Sequence, residues 1–192
     1  MHTQRAFFLG VASLIGLSAC GEGRVVGPFD DTTRYDSVVP WSGDPALKIW
    51  LAMIRDSTWA FHHEVLARQA GYRPSSKPCV WTGSGASGQL YEHPTLLGLV
   101  PGSIPVSGTD SVINHFRPEM LIYEMQEVGL PKFVGIKFVV YRQPWDAVHA
   151  EPPTLLGIRF DEKFGPDANG HADYYELHVW IWRNNPLACF PR

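Results

Sequence analysis

The stretch Tyr174 to Pro186, "YYELHVWIWRNNP", carries the residue types most able to do chemistry. Alternate positions place Tyr174, Glu176, His178, Trp180 and Trp182 on one side of an extended strand. Tyr175, Leu177, Val179 and Ile181 fall on the other. An imidazole among apolar neighbours needs a hydrogen-bonding partner, and Glu124 or Glu176 can supply one. Two indoles and a phenol beside it have the composition of an aromatic ligand pocket with a few fixed polar groups. The candidate ligand-binding set is therefore Tyr174, His178, Trp180, Trp182, Glu124 and His93. The same histidines, taken with a carboxylate, could instead serve metal-assisted or acid–base hydrolysis. The bland alternative is a second layer of core in which the Trp N–H groups and the imidazole are satisfied internally.

Other motifs are weaker. "GSGASG" (Gly83 to Gly88) has the Gly-x-Gly-x-x-Gly form, with Asp110 further on. A dinucleotide site needs that loop between a strand and a helix, and Pro94 spoils the helix, so a flexible turn is expected. Ser87 lacks the Gly-x-Ser-x-Gly context of a nucleophile elbow. "GPDANGHADYYE" (Gly165 to Glu176) partly echoes a calcium loop through Asp167, Asn169, Gly170 and Glu176, but Gly165 stands where the leading acidic ligand belongs. A polar hairpin loop with a solvated His171 is expected there. In "FHHE" (Phe61 to Glu64) the two histidines are adjacent, about 100 degrees apart on a helix. One should face solvent and the other the sheet. No cofactor is expected from any of these.

The elements that must position these residues read as one helix followed by strands. Asp44 can cap, Pro45 suits the first helical turn and Gly71 suits the stop. Between them Ile49, Trp50, Met53, Ile54, Phe61, Val65 and Leu66 recur at roughly helical spacing, predicting one long helix with a weak point near Asp56-Ser57-Thr58. "EMLIYEMQ" (119–126) and "KFVGIKFVVYR" (132–142) flank "EVGLP" and predict a hairpin. "PTLLGIRF" (153–160) and "YYELHVWIWR" (174–183) are further strand candidates. The fold class expected is α+β: a long N-terminal helix packed on a curved, mostly antiparallel sheet.

The chain has 192 residues. Residues 1–19 combine Arg5, an apolar run from Ala6 to Leu17 too short for a lasting membrane span, and small residues before a cysteine, the anatomy of a secretory signal. "LSAC" (Leu17 to Cys20) resembles the bacterial lipobox, so Cys20 is the expected lipidation site. Multiple acyl chains give stable anchoring. Gly21 in place of Asp after that Cys favours the outer membrane of the cell envelope. Residues 20–44 read as a tether, rich in Gly, Asp, Thr and Pro, and 45–192 as a single domain. Net charge is −3 for the whole chain, and −4 without Arg5. That gives no electrostatic footprint for nucleic acid. The partners expected are the membrane, through the lipid, and a small molecule or another envelope component. Cys79 and Cys189 remain for a disulfide in an oxidising compartment. It would close a loop of about 110 residues, where the chain-entropy model allows roughly 4–5 kcal/mol.

Four stretches carry a family resemblance: "GYRPSSKPCVWTGSGASGQLYEHPTLL", "RPEMLIYEMQEVGLPKFVGIKFVVY", "PPTLLGIRF" and "DYYELHVWIWRNNP". They resemble a family of bacterial secreted proteins of uncharacterised function, over roughly residues 55–186. Its most specific motif is Leu-His-x-Trp-x-Trp-x-x-Asn-Pro. The resemblance implies a shared fold and an extracytoplasmic setting, and supplies no activity. This chain departs from it where the family has His, here Leu90, and where it has Glu, here Lys137, while His178 is kept. "LACFPR" replaces the usual ending. With two of three polar positions changed, a binding or structural envelope module is the preferred reading, ahead of a hydrolase built on His178 and His93.

Overall fold

The structure, a computed structural model, describes residues 44–77, 79, 86 and 88–182. Helix α1 (Pro45–Thr58) starts where the sequence places it, with the Asp44 carboxylate accepting from the Ala46 N–H at 2.8 Å. Leu47, Trp50, Leu51, Ile54 and Thr58 form its buried stripe. The long helix expected does not form. At Asp56-Ser57-Thr58 the Ser57 and Thr58 hydroxyls both donate to the Ile54 carbonyl, at 3.0 and 2.6 Å. Such back-bonding competes with the helical ladder. The chain tightens into a 3-10 turn (Trp59–His62), and a separate six-residue helix, α2 (Glu64–Gln69), follows. The interruption rotates the apolar stripe out of phase: in α2 Ala67 is buried, while Val65 and Leu66 are exposed. The fold is accordingly a mostly antiparallel sheet with short helices, which corrects the expected α+β arrangement with a long N-terminal helix.

The main sheet has six strands. In chain order they are β1 (Arg73–Pro74), β2 (Gln89–Glu92), β3 (Met120–Glu124), β4 (Lys132–Tyr141), β7 (Asp161–Lys163) and β8 (Tyr174–Val179). Their spatial order is β1-β2-β3-β4-β8-β7, and every neighbouring pair is antiparallel. The hairpin predicted around "EVGLP" is β3–β4. "PTLLGIRF" is not one strand but a tight hairpin of its own, β5 (Thr154–Leu155) with β6 (Ile158–Arg159). Leu156 and Gly157 both have positive φ, 50° and 79°, the turn geometry that joins two strands through two residues. A short helix, α3 (Arg142–Asp146), continues from β4.

Both faces of the sheet are buried, which is why β4 reads as a nearly unbroken apolar run. On one face Leu121, Tyr123, Phe133, Ile136, Phe138, Val140, Tyr175, Leu177 and Val179 pack with Trp50, Leu51 and Ile54 of α1. This is the side on which the alternation set Tyr175, Leu177, Val179 and Ile181. On the other face Leu90, Met120, Ile122, Val134, Val139, Tyr141, Tyr174 and Trp180 pack with Leu97, Leu99 and Ala172. Two loops cover that second face. They meet where Val106 N–H donates to the Gly170 carbonyl (2.8 Å) and Ala172 N–H to the Val106 carbonyl (2.7 Å).

Candidate functional site

The register between β4 and β8 sets Lys137 opposite His178, Val139 opposite Glu176 and Tyr141 opposite Tyr174. All six share the loop-covered face. Lys137 and Glu176 are both 3% exposed and form an ion pair. Lys163, from β7, approaches the other Glu176 oxygen at 3.3 Å. His178 Nε2 lies 4.0 Å from the Glu176 carboxylate, and the Lys137 ammonium lies 4.9 Å from the Tyr174 ring centre. Burial pushes the Glu176 carboxyl up, but the charges of Lys137, His178 and Lys163 outweigh it and hold the group down at about 2. Leu90, Lys137 and His178 share this face. Here the lysine is committed to Glu176.

A second polar chain locks the covering loop to the sheet. His171 Nδ1 bonds the Tyr141 hydroxyl at 2.6 Å and its Nε2 bonds Glu92 Oε1 at 3.1 Å. His171 is 3% exposed, so it is not the solvated loop residue expected. Asp167, the strongest point of the calcium-loop echo, already accepts from Asn169 N–H (2.8 Å), His171 N–H (2.9 Å) and the Tyr174 hydroxyl (2.9 Å). It is a loop-fastening carboxylate in a β7–β8 hairpin. Burial pushes the Tyr141 and Tyr174 phenols far above their ordinary range, so both stay neutral donors.

The other expected site residues are dispersed. His93, just past β2, uses both ring nitrogens locally: Nε2 bonds the Ala70 carbonyl at 3.0 Å, and Nδ1 accepts the Leu96 N–H at 3.2 Å. Its ring lies so close to Gly71 that a Cβ there would come within 2.8 Å of Nε2, at a backbone φ of +105°. β3 and β4 separate β2 from β8, a spacing of roughly 14 Å, so His93 and His178 do not form a pair. Glu124 is buried at the opposite end of β3 from the Met120–Lys137–His178 row, where its side chain accepts from Gln126 at 3.2 Å. Trp180 is 2% exposed and packs over Gly135, where a Cβ would meet its ring at 3.3 Å. Cys79 is not a free thiol. Cys189 and Cys20 lie outside the described residues, as do residues 1–43 and most of the Gly83–Gly88 segment.

Trp182 separates from the rest. Strand β8 ends at Val179, and beyond it the Trp182 N–H donates to the Val134 carbonyl at 3.1 Å. Its ring packs on the helix side, away from Trp180. It meets Trp59 edge-on at 5.4 Å and His62 edge-on at 4.6 Å between ring centres. His62 also meets Phe133 at 5.5 Å and Trp59 at 4.9 Å. These four rings, with Lys132 and Val134, line a cleft of about 380 Å³. The Arg55 guanidinium lies over the Trp182 ring at 5.7 Å, held there because its Nε–H donates to the Ile181 carbonyl at 2.8 Å. Burial, and then the charge of His63, lower the His62 pKa and keep it neutral near pH 7. Of the adjacent histidines His63 is exposed and His62 packs on the sheet, although the pair lies in a 3-10 turn and at the cap of α2 rather than within the helix expected. Trp59, His62, Lys132 and Phe133 stand outside the candidate set read from the sequence; the sequence signals for this place were Trp182, which was in that set, and the His62–His63 pair.

A second cleft, of about 420 Å³, is lined by Ser107, Tyr141, Arg142, Asp146 and Asp173 among others. Its one guanidinium is already surrounded by carboxylates, Asp146 at 3.5 Å, Glu162 at 3.8 Å and Asp173 at 4.0 Å. Among the described residues no group of three or more His, Cys, Asp or Glu side chains is arranged to hold a metal ion. Comparison with family models, with curated proteins and with solved structures finds no match to this chain.

Proposed function

We propose that this chain is a lipid-anchored extracytoplasmic binding module that holds a small ligand in the cleft formed by Trp59, His62, Phe133 and Trp182. The observation that carries the reading is the cleft itself: aromatic walls, a few polar atoms and an opening to solvent, the usual make-up of a small-ligand site. The polar face around Glu176 has less to offer a ligand, because its charges are spent on one another beneath two loops. The hydrolase alternative has less support, since both His93 nitrogens are engaged and His178 stands apart from it. The anchor rests on the N-terminal sequence and the lipobox-like Cys20.

Three measurements test the two halves. Cys20→Ser should move the chain out of the membrane fraction or stall its processing; unchanged tight attachment would defeat the anchor. The same extracytoplasmic setting predicts a Cys79–Cys189 disulfide, so non-reduced protein exported to the periplasm should show no alkylatable thiol by mass spectrometry. For the binding half, the indole N–H resonance of Trp182 is followed in ¹⁵N-labelled full chain against a panel of sugars, carboxylates, amines and small aromatics. At least one class should shift it in a saturable way. Silence across the whole panel removes the cleft as a ligand site.

A further inference from the structure

The lining of the cleft narrows its ligand, and this step rests on the reading of the chain as a binding module. We infer that the cleft takes an acidic pyranose, a sugar ring bearing a carboxylate. The first ground is shape. Trp59 keeps an indole 62% exposed at the mouth, a flat apolar surface of the kind on which the C–H face of a sugar ring packs. The second is unmet polarity. His62 Nε2 and Trp182 Nε1 are both shielded from solvent and have no hydrogen-bond partner among the described residues. An indole N–H can only donate, and a shielded donor left unmet is costly. A hydrocarbon guest would leave both atoms as they are, whereas the hydroxyl and carboxylate oxygens of an acidic sugar can satisfy them. The third is charge. Lys132 lines the cleft, Arg55 sits over Trp182, and no Asp or Glu is among the lining residues. Aromatic walls also suit quaternary ammonium guests, but these two cations repel such a guest and attract a carboxylate.

The route in is the Trp59 ring. It touches His62 and Trp182 edge-on, is 62% exposed and lies outside the buried core, so it can swing aside without opening the core. That motion uncovers the two unmet nitrogens and leaves the indole free to pack on the incoming ring.

Isothermal titration of the purified full chain tests this with three probes: digalacturonate, its neutral counterpart galactobiose, and tetramethylammonium. The uronate should bind, and the neutral disaccharide should bind at least about tenfold more weakly. Trp59→Ala should weaken uronate binding by about tenfold or more, and Lys132→Gln by about threefold. Both substitutions lie at exposed positions, and unchanged circular dichroism confirms that the variants fold. Equal binding of the two sugars would overturn the charge requirement, and competition by tetramethylammonium would overturn the ligand class. If neither sugar binds while another compound of the panel shifts the Trp182 indole resonance, the acidic-sugar inference falls and the binding module stands. If nothing moves that resonance, both fall.

Discussion

Glu176 and Trp182 stand six residues apart near the C-terminal end of the described chain, yet they serve opposite kinds of surface. Around Glu176 every charge has an opposite charge beside it, the Lys137 and Glu176 side chains are nearly inaccessible, and two loops close over them. Around Trp182 the rings meet edge-on, two nitrogens lack partners among the described residues, and the cleft faces water. The contrast teaches that polar residues on a strand do not by themselves make a site. In the first region polarity is internally balanced and contributes to structure. In the second it is unbalanced, and an outside molecule can complete it.

The sharpest way to break the comparison is at Lys137. Removing Lys137 leaves the buried Glu176 carboxylate with only the more exposed Lys163 ammonium beside it, so Lys137→Ala should lower stability by up to about 3–5 kcal/mol, the cost of breaking a buried ion pair. In urea unfolding this appears as a lower midpoint with unchanged slope. Replacing both partners, as Lys137→Met with Glu176→Leu, should recover most of the loss, because apolar pairs of similar size substitute well for buried ion pairs. A small effect of Lys137→Ala alone would mean that this face is wetter and more ligand-like than its geometry indicates.

Another buried glutamate, Glu119, sharpens the point by having no ion pair among the described residues. Glu119 is 2% exposed, and its carboxylate accepts the Val139 N–H at 3.0 Å. Burial pushes its carboxyl up to about 8, with the nearby Asp110 charge adding in the same direction. The folded chain therefore holds this proton to higher pH than the unfolded chain, which releases it near 4.5. Stability from this group is full below about pH 4.5 and falls as pH rises towards 8, at up to about 1.4 kcal/mol per pH unit. Glu119→Gln, whose carbonyl can still accept from Val139, should flatten the stability profile across that window. Glu176 has the opposite sign. Its contribution is present above the unfolded carboxylate range and is lost only as pH falls towards about 2. A profile insensitive to Glu119→Gln between pH 5 and 8 would show that the carboxyl is solvated in the folded chain.

His178→Ala should cost about 1–3 kcal/mol, intermediate between the two regions. The imidazole is mostly buried, with its side chain 14% exposed, and its removal leaves a small cavity beside Glu176, while Lys137 and Lys163 still neutralise the carboxylate. A loss matching that of Lys137→Ala would make His178 an equal partner of the ion pair. Trp59→Ala should have the smallest effect on stability, within about 0.5 kcal/mol, as for other exposed positions. A large loss there would reassign the cleft to the core and remove the contrast.

Much of the strand carrying both regions was legible. Period-two alternation put Tyr175, Leu177, Val179 and Ile181 towards α1 and Tyr174, Glu176, His178 and Trp180 on the other face, because successive side chains of a strand must point opposite ways. The β3–β4 hairpin and the Asp44-Pro45 helix start were legible for equally local reasons. The break after Thr58 showed only as a weak point, since hydroxyl back-bonding to Ile54 competes with propagation by a small margin that packing decides. Trp182 was placed with Trp180 because alternation was carried past Ile181, beyond the end of β8, and there Trp182 falls on the same side as Ile181.

By itself, then, the sequence determined which residues alternate and where the first helix begins, since each depends on neighbours within a few positions. Only the tertiary structure decided that Lys137 neutralises Glu176 and that His171 is buried between Tyr141 and Glu92. It also decided that His93 is spent on Ala70 and Leu96, and that Trp182 meets Trp59 and His62. Those contacts join residues from 3 to 123 positions apart. Whether a polar group there is satisfied or left open depends on strand order and register, which only the assembled sheet fixes.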